Sequence, residues 1–208
     1  MSENKMIDPA AMHKLSYGLF VLTAHENGKD NGCIINTALQ LTSVPMQISI
    51  CVNKGNYTHD MIMNTKKFNV STISEKADFE LFKRFGFASG RDTDKFQGLN
   101  GAIRGMNGVM ILTQQVNSFI SAEVTQTVDC GTHTMFIATV TCSGVFNSDR
   151  SATYQYYFDH IKPAPAPKAE EKKGYVCRIC GYVYEGEPLP PDFICPLCGH
   201  GAEDFEKL

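Results

Sequence analysis

Four of the eight cysteines in this 208-residue chain fall into two Cys-x-x-Cys pairs, Cys177/Cys180 and Cys195/Cys198, with fourteen residues between them. Four thiolates so spaced can close a tetrahedral sulfur cage around one metal ion. Each pair is followed by glycine, Gly181 or Gly199. A glycine there can take positive φ, which turns the next backbone N–H groups back toward the sulfurs. Such a cage accepts iron, making a one-electron carrier, or zinc, making a structural ribbon. The other four cysteines, Cys33, Cys51, Cys130 and Cys142, are scattered and read as small buried hydrophobes.

A second cluster could hold an anion. In Asn53-Lys-Gly-Asn-Tyr-Thr-His59, Lys54 brings charge, Gly55 lets the backbone approach, and Asn56 and Thr58 bring short polar side chains. The helix expected just behind them presents unpaired N–H groups to a negative ligand. A solvated strand-to-helix turn would use the same residues. No Gly-x-Gly-x-x-Gly or Walker pattern offers an alternative phosphate site, since Gly98, Gly101, Gly105 and Gly108 have the wrong spacing.

The elements that must position these groups are mostly strands. Gly18–Ala24 is an apolar run, and Gln47–Val52 alternates with period two. Phe68–Ile73 is a short strand, and Phe119–Val128 and Met135–Phe146 are long ones, with Cys130-Gly131-Thr132 as a hairpin tip. Helices are expected from Asp8 to Ser16, from Thr58 to Asn64, and from Ser74 to Phe85. In the last, Phe79, Phe82 and Phe85 recur at helical spacing as a core or dimer stripe. Strands outnumber helices without alternating with them, which predicts a mainly β fold, an antiparallel barrel closed or partly closed.

The segment Lys162–Gly174 alternates proline with alanine and then turns charged, so it reads as an extended linker. At about 3.1 Å per residue it could span roughly 40 Å. The expected domains are therefore 1–161, a linker at 162–173, and a metal domain at 174–208. From Gly174 onward two basic residues face six acidic ones, while the remaining 173 residues hold 17 basic and 16 acidic. A net charge of −3 gives no reason to expect a nucleic-acid partner. No apolar run reaches the roughly 18 residues that span a bilayer, and the N-terminus lacks a basic n-region, so no membrane partner and a cytoplasmic location are expected.

Tyr175-Val-Cys-Arg-Ile-Cys-Gly-Tyr-Val-Tyr184 and Pro190-Pro-Asp-Phe-Ile-Cys-Pro-Leu-Cys-Gly199 resemble rubredoxin, the one-iron electron carrier. Two departures are a shorter spacer between the pairs and Phe193 where tryptophan is usual. The resemblance implies iron on Cys177, Cys180, Cys195 and Cys198. It also implies a small aromatic core of Tyr175, Tyr182, Tyr184, Phe193 and Phe205. Leu22-Thr-Ala, Asn31-Gly-Cys-Ile-Ile-Asn-Thr37, Thr42-Ser-Val-Pro45 and Asn53-Lys-Gly-Asn-Tyr-Thr58, in that order, resemble the flavin reductase-like, FMN-binding split-barrel family over roughly residues 8–160.

That resemblance implies FMN lying along Cys33, Ile34, Asn36 and Thr37, with Lys54, Asn56 and Thr58 at its phosphate. Gly131-Thr-His-Thr134 is similar to a family stretch whose histidine lies near flavin and nicotinamide, which makes His133 the candidate for orienting the hydride donor. Asp129, Arg91 and His59 are further candidates for the same opening. Family members are usually dimers with flavin at the subunit interface. Together the halves resemble flavin reductase–rubredoxin fusions, which implies electron flow from NAD(P)H to FMN, to iron, and on to a flavodiiron-type acceptor protein. A flavoredoxin-type carrier without nicotinamide activity and a non-redox protein with a zinc ribbon are the alternatives.

Overall fold

The structure, a computed structural model, describes residues 8–163 and 174–208. It divides into two compact units, Met1–Lys162 and Pro163–Leu208. The Pro/Ala and charged segment at 164–173 lies outside the described residues.

The larger unit is built on seven antiparallel strands. These are β1 (Phe20–Glu26), β2 (Lys29–Ile35), β3 (Ala38–Ser43), β4 (Met46–Asn53), β5 (Lys67–Ile73), β8 (Val116–Asp129) and β9 (His133–Val145), while β6 (Ala102–Arg104) and β7 (Met110–Leu112) pair separately. The order across the large sheet is β2-β1-β5-β8-β9-β4-β3. Its two edges, β2 and β3, are consecutive in sequence and joined only by Asn36 and Thr37. Two residues reach only about 7 Å. The sheet must therefore curl until its edges meet at that point, leaving a barrel split between β2 and β3.

Local sequence explains the turns. Asn27 and Gly28 both have positive φ (51° and 79°), the conformation a two-residue hairpin turn needs between β1 and β2. The β8–β9 ladder runs to Asp129 opposite Thr134, and Gly131 at the tip also has positive φ. Helix α1 (Tyr57–Thr65) opens at Asn56 and closes at Lys66, which is left-handed and returns its N–H to Ile62.

Two cores share β1, whose Val21, Leu22, Thr23 and Ala24 are all buried. Leu22, Ile50, Val52, Phe68, Val70 and Phe136 fill the barrel, and Met61 and Ile62 of α1 plug it. On the other side of β1, Val21 packs with Ile73, Leu112 and Tyr157. Leu81, Phe82 and Phe85 complete this second core, so that helix packs against its own chain.

Two helices differ from the sequence reading. The expected Ser74–Phe85 helix begins only at Asp78, whose side chain caps Leu81 N–H, because Ser74 and Glu75 bond instead to Gln115 and Arg150 carbonyls. It runs as α2 (Phe79–Phe82) and then widens over Lys83–Phe87. The expected Asp8–Ser16 helix is a tighter 3₁₀ turn, Pro9–Lys14. The smaller unit is a three-stranded sheet with β10 (Tyr175–Cys177) between β11 (Val183–Tyr184) and β12 (Phe205–Lys207).

Candidate functional site

In the barrel unit, the split and the start of α1 bring one set of polar side chains together. Asn56 holds an extended backbone conformation, and its Oδ1 accepts from Thr58 N–H at 3.0 Å, fixing the helix start. Thr58 Oγ1 accepts from Asn31 Nδ2 at 3.0 Å. The Cys33 thiol bonds to the Thr58 and Asn56 side chains; burial pushes its pKa up, and those bonds offset the rise only in part. Thus three of the seven expected cofactor residues, Cys33, Asn56 and Thr58, form one buried knot with Asn31. Asn31 Oδ1 is buried and lacks a hydrogen-bond partner. Gly90 lies against it, and a Cβ there would sit 2.0 Å from that oxygen. Glycine is required at that close approach.

The knot includes a buried cation that sequence reading missed. Lys95 is only 4% exposed, and its ammonium donates to Gly32 O at 2.8 Å and Phe85 O at 3.3 Å. Strand β2 pairs only with β1, so Lys95 supplies a donor on an edge no strand covers. Burial lowers its pKa. A buried ammonium, the positive end of a nine-residue helix, and an orphaned acceptor fit an anionic ligand that also carries hydroxyl groups. The phosphate and ribityl chain of FMN have that chemistry.

The remaining expected residues are placed differently. Asn36 and Thr37 form the split itself, with Thr37 Oγ1 donating to Cys51 O at 2.7 Å. Ile34 is half-buried against the second core. Lys54 is pinned by its N–H to Thr132 O, and its ammonium pairs with Asp129 at 2.7 Å. That pairing, with the Gly131 N–H, holds the Asp129 carboxyl below its usual range. Arg91 pairs with Asp60 at 2.8 Å and, like Lys29, sits over the Tyr57 ring. His59 is buried against Phe136 and bonds Thr134 Oγ1 at 2.9 Å, so it belongs to the barrel wall. His133 pairs in register with Asn53. Because Val52, Thr134 and Phe136 face inward, strand alternation turns His133 to the outer face.

In the smaller unit, the four Sγ atoms lie within 4.8 Å of one another. Cys177 and Cys198 approach to 3.6 Å, and Cys180 and Cys195 to 3.5 Å. A tetrahedral ion with bonds of about 2.3 Å to sulfur needs edges of about 3.8 Å, so the set fits a single metal. Gly181 and Gly199 have φ of 79° and 73°. Nothing would meet a Cβ at Gly199, so the sign of φ, not space, selects glycine there.

The expected N–H donors are present: Tyr182 to Cys180, Leu197 and Cys198 to Cys195, and His200 to Cys198. Burial pushes Cys180 up to about 11 and also raises Cys198. At Cys195, burial acts upward too, but the two backbone donors and neighbouring thiols pull it below its ordinary value. A bound cation holds all four as thiolates. Tyr182, Tyr184 and Phe205 surround Phe193, at 4.7 to 6.3 Å between ring centroids, forming the small aromatic core.

Comparison with known proteins agrees with this division. Residues 12–165 match the flavin reductase like domain, and residues 175–206 match the rubrerythrin, rubredoxin-like domain. The chain belongs to the flavin reductase-like family and carries a rubredoxin-like domain at its C-terminal end, where Cys177, Cys180, Cys195 and Cys198 form the iron-binding set. High molecular weight rubredoxin of Moorella thermoacetica is 36% identical over 97% of this chain and 100% of that protein. Ferric-chelate reductase (NAD(P)H) of Archaeoglobus fulgidus is 37% identical over 73% of this chain and 89% of its own length. An FMN-binding protein from Thermus thermophilus superposes with a TM-score of 0.61 at 20% identity, covering 70% of this chain and 80% of that one, a likeness of fold. Among the described residues, no helix is long and apolar enough to cross a membrane.

Proposed function

We propose that this chain is an NAD(P)H-dependent electron-transfer protein in which the barrel holds FMN and the Cys₄ module carries single electrons to a partner. The observation that carries this reading is the joining of both units in one chain, matched over 97% of its length by high molecular weight rubredoxin. When bound, FMN takes the two electrons of a hydride and yields them singly, which suits an iron that accepts one at a time.

The residues divide that work. Asn56, Thr58 and Cys33, with Lys54, would hold the phosphate end, and buried Lys95 would add positive charge beside Cys33. Asn36 and Thr37 at the split, with Ile34 beside them, define where the ring system lies. His133, on the outer face, orients the nicotinamide. The N–H donors to Cys180, Cys195 and Cys198 set the potential of the metal. Joining the two units in one chain raises the effective concentration of one for the other to order millimolar. The acceptor is a flavodiiron-type protein, the working form is a homodimer with flavin at the interface, and the location is the cytoplasm.

The test is an anaerobic absorbance titration of purified protein with NADH and then NADPH. Flavin and iron–thiolate bands that bleach in turn support the relay. Bands that neither donor bleaches would show a flavoredoxin-type carrier awaiting an external reductase, and would remove the role given to His133. Zinc without flavin in protein from native cells would end the electron-transfer reading.

A further inference from the structure

Toward the β1–β2 hairpin, the barrel gathers positive charge that its acids do not balance. Lys29, Asn31 and Cys33 alternate along β2 and so share its inner face. Asn31 meets the start of α1 at Thr58. Lys29 meets it one step further on, with its ammonium 5.0 Å from the centre of the Tyr57 ring. Arg91 reaches the same ring from a distant turn, at 4.9 Å. Two cations at one ring repel each other, and one carboxylate serves them: Asp60 accepts from Arg91 Nη2 at 2.8 Å. Glu26 faces Lys29 across the hairpin but accepts from Asn64, and Asp30 is held by Arg104 and His25. Among the described residues the Lys29 ammonium has no ion pair or hydrogen bond. A guanidinium carries several N–H donors, and Arg91 gives only one of them to Asp60.

The turn holds Arg91 in place. Arg91 N–H donates to Ser89 Oγ, and Ser89 O accepts from the N–H groups of Asp92 and Thr93. Gly90 packs so closely on Asn31 that a Cβ would sit 2.0 Å from Asn31 Oδ1. That oxygen is buried and lacks a hydrogen-bond partner, so it can accept from a ligand lying beside Arg91.

We propose that Lys29 and Arg91 form a subsite for a phosphate monoester at the positive end of α1, with Asn31 Oδ1 accepting from a hydroxyl of the same ligand. On the reading of the barrel as a flavin and nicotinamide site, on which this proposal rests, two ligands supply that chemistry. FMN carries the phosphate at the end of its ribityl chain, and NADPH carries one on its adenosine ribose. The planar fork of Arg91 can donate two parallel bonds to phosphate oxygens, while Lys29 adds a point charge. Asp60 is then the resting partner of Arg91, which the more highly charged phosphate displaces.

The experiment uses the full-length, metal-loaded protein and two ligand pairs that each differ by one phosphate. Fluorescence quenching compares FMN with riboflavin on flavin-free protein, and calorimetry compares NADP+ with NAD+ on the protein as isolated. In at least one pair the phosphate-bearing member should bind the wild type more tightly. Arg91→Ala should weaken that member about tenfold or more and leave its phosphate-free partner unchanged. Lys29→Ala should act in the same direction, and the pair that responds names the source of the phosphate. Asp60→Asn should leave that affinity equal or higher, because it removes a competitor. A loss in Asp60→Asn like that in Arg91→Ala would mean that the ion pair only holds the helix start, and would overturn the proposal. So would Arg91→Ala shifting both members of each pair alike, or neither. A wild type that bound neither flavin would overturn the flavin reading alone, since the nucleotide pair reports on the subsite separately; binding of none of the four would overturn both. Arg91 is 53% exposed at its side chain, and the thermal midpoint of Arg91→Ala verifies that the variant folds.

Discussion

The two units reach order by opposite routes. The barrel buries more than two dozen apolar side chains in two continuous cores, and its polar knot sits on that frame. The module has little to bury. Among its described residues, Cys177 and Cys195 alone of the apolar side chains are fully enclosed, and its aromatic cluster is half-exposed. A unit with so small a core needs another source of stability, and four converging sulfurs supply one through a metal. The lesson is that cysteine geometry is structural in one unit and incidental to stability in the other.

Metal removal gives the largest expected effect and the most direct way to break that comparison. Binding to a four-sulfur site is worth of order 10 kcal/mol, which exceeds what a core this small can contribute. Chelation, or Cys177→Ser, is expected to abolish the iron–thiolate band and the ordered signal of the module. The unfolding transition of the barrel should not move. A barrel transition that shifted with the metal would mean the units depend on each other. Next comes Phe136→Ala. Phe136 is fully buried at the centre of the barrel and stacks edge-on with His59. Its loss is expected to cost about 3–5 kcal/mol, read as a lowered barrel midpoint in denaturant. The iron–thiolate band should persist through that transition.

These contrasts explain which parts were legible in the sequence. The metal ligands were readable because their chemistry is local: residue type, spacing and a following glycine are enough. The long strands β8 and β9 were readable as β-rich runs, and helix α1 was expected over Thr58–Asn64, one residue after its observed start. Strand β2, Lys-Asp-Asn-Gly-Cys-Ile-Ile, was not named as a strand, because its polar first half carries no period-two signal. Its one clear mark was Asn27-Gly28, the strongest short hairpin signal, which the two positive φ values now account for. Strand β3 hid for another reason, since it is an edge whose Leu39 and Leu41 stay exposed.

The barrel site was legible only in part. Cys33, Asn56 and Thr58 meet across more than twenty residues of sequence, and family order alone pointed to them. Lys95 had no signal. A buried ammonium that serves backbone carbonyls looks like any surface lysine until the fold is known.

Asn56→Ala sharpens the comparison at smaller scale. In flavin-free protein, losing the cap of α1 is expected to cost about 1 kcal/mol, measured as a shift in denaturant midpoint with unchanged slope. Flavin affinity should fall further than stability does, by about tenfold or more if Asn56 also touches the ligand. Equal affinity in the variant would show that Asn56 serves the helix alone, and the barrel site would then lie elsewhere along the split.

The smallest effect tests whether exposed charge matters to the barrel. Burial acts to raise the Asp60 carboxyl, but hydrogen bonds from His59 and Arg91 outweigh it and hold the pKa below its ordinary value. An acid with a depressed folded pKa stabilises the fold above the unfolded value of about 3.9, and that contribution is lost as pH falls through the folded value. Asp60 is 43% exposed at its side chain, so solvent screening limits the pair to about 0.5 kcal/mol. Barrel stability in the wild type should therefore decline slightly more steeply below pH 4 than in Asp60→Asn, with the two curves parallel from about pH 5 to 7. Raising salt to about 1 M should shrink the difference between them. A difference that survived salt would mean that Asp60 acts through the buried His59–Thr134 contact, and that the wall of the barrel, not its surface, carries the charge dependence.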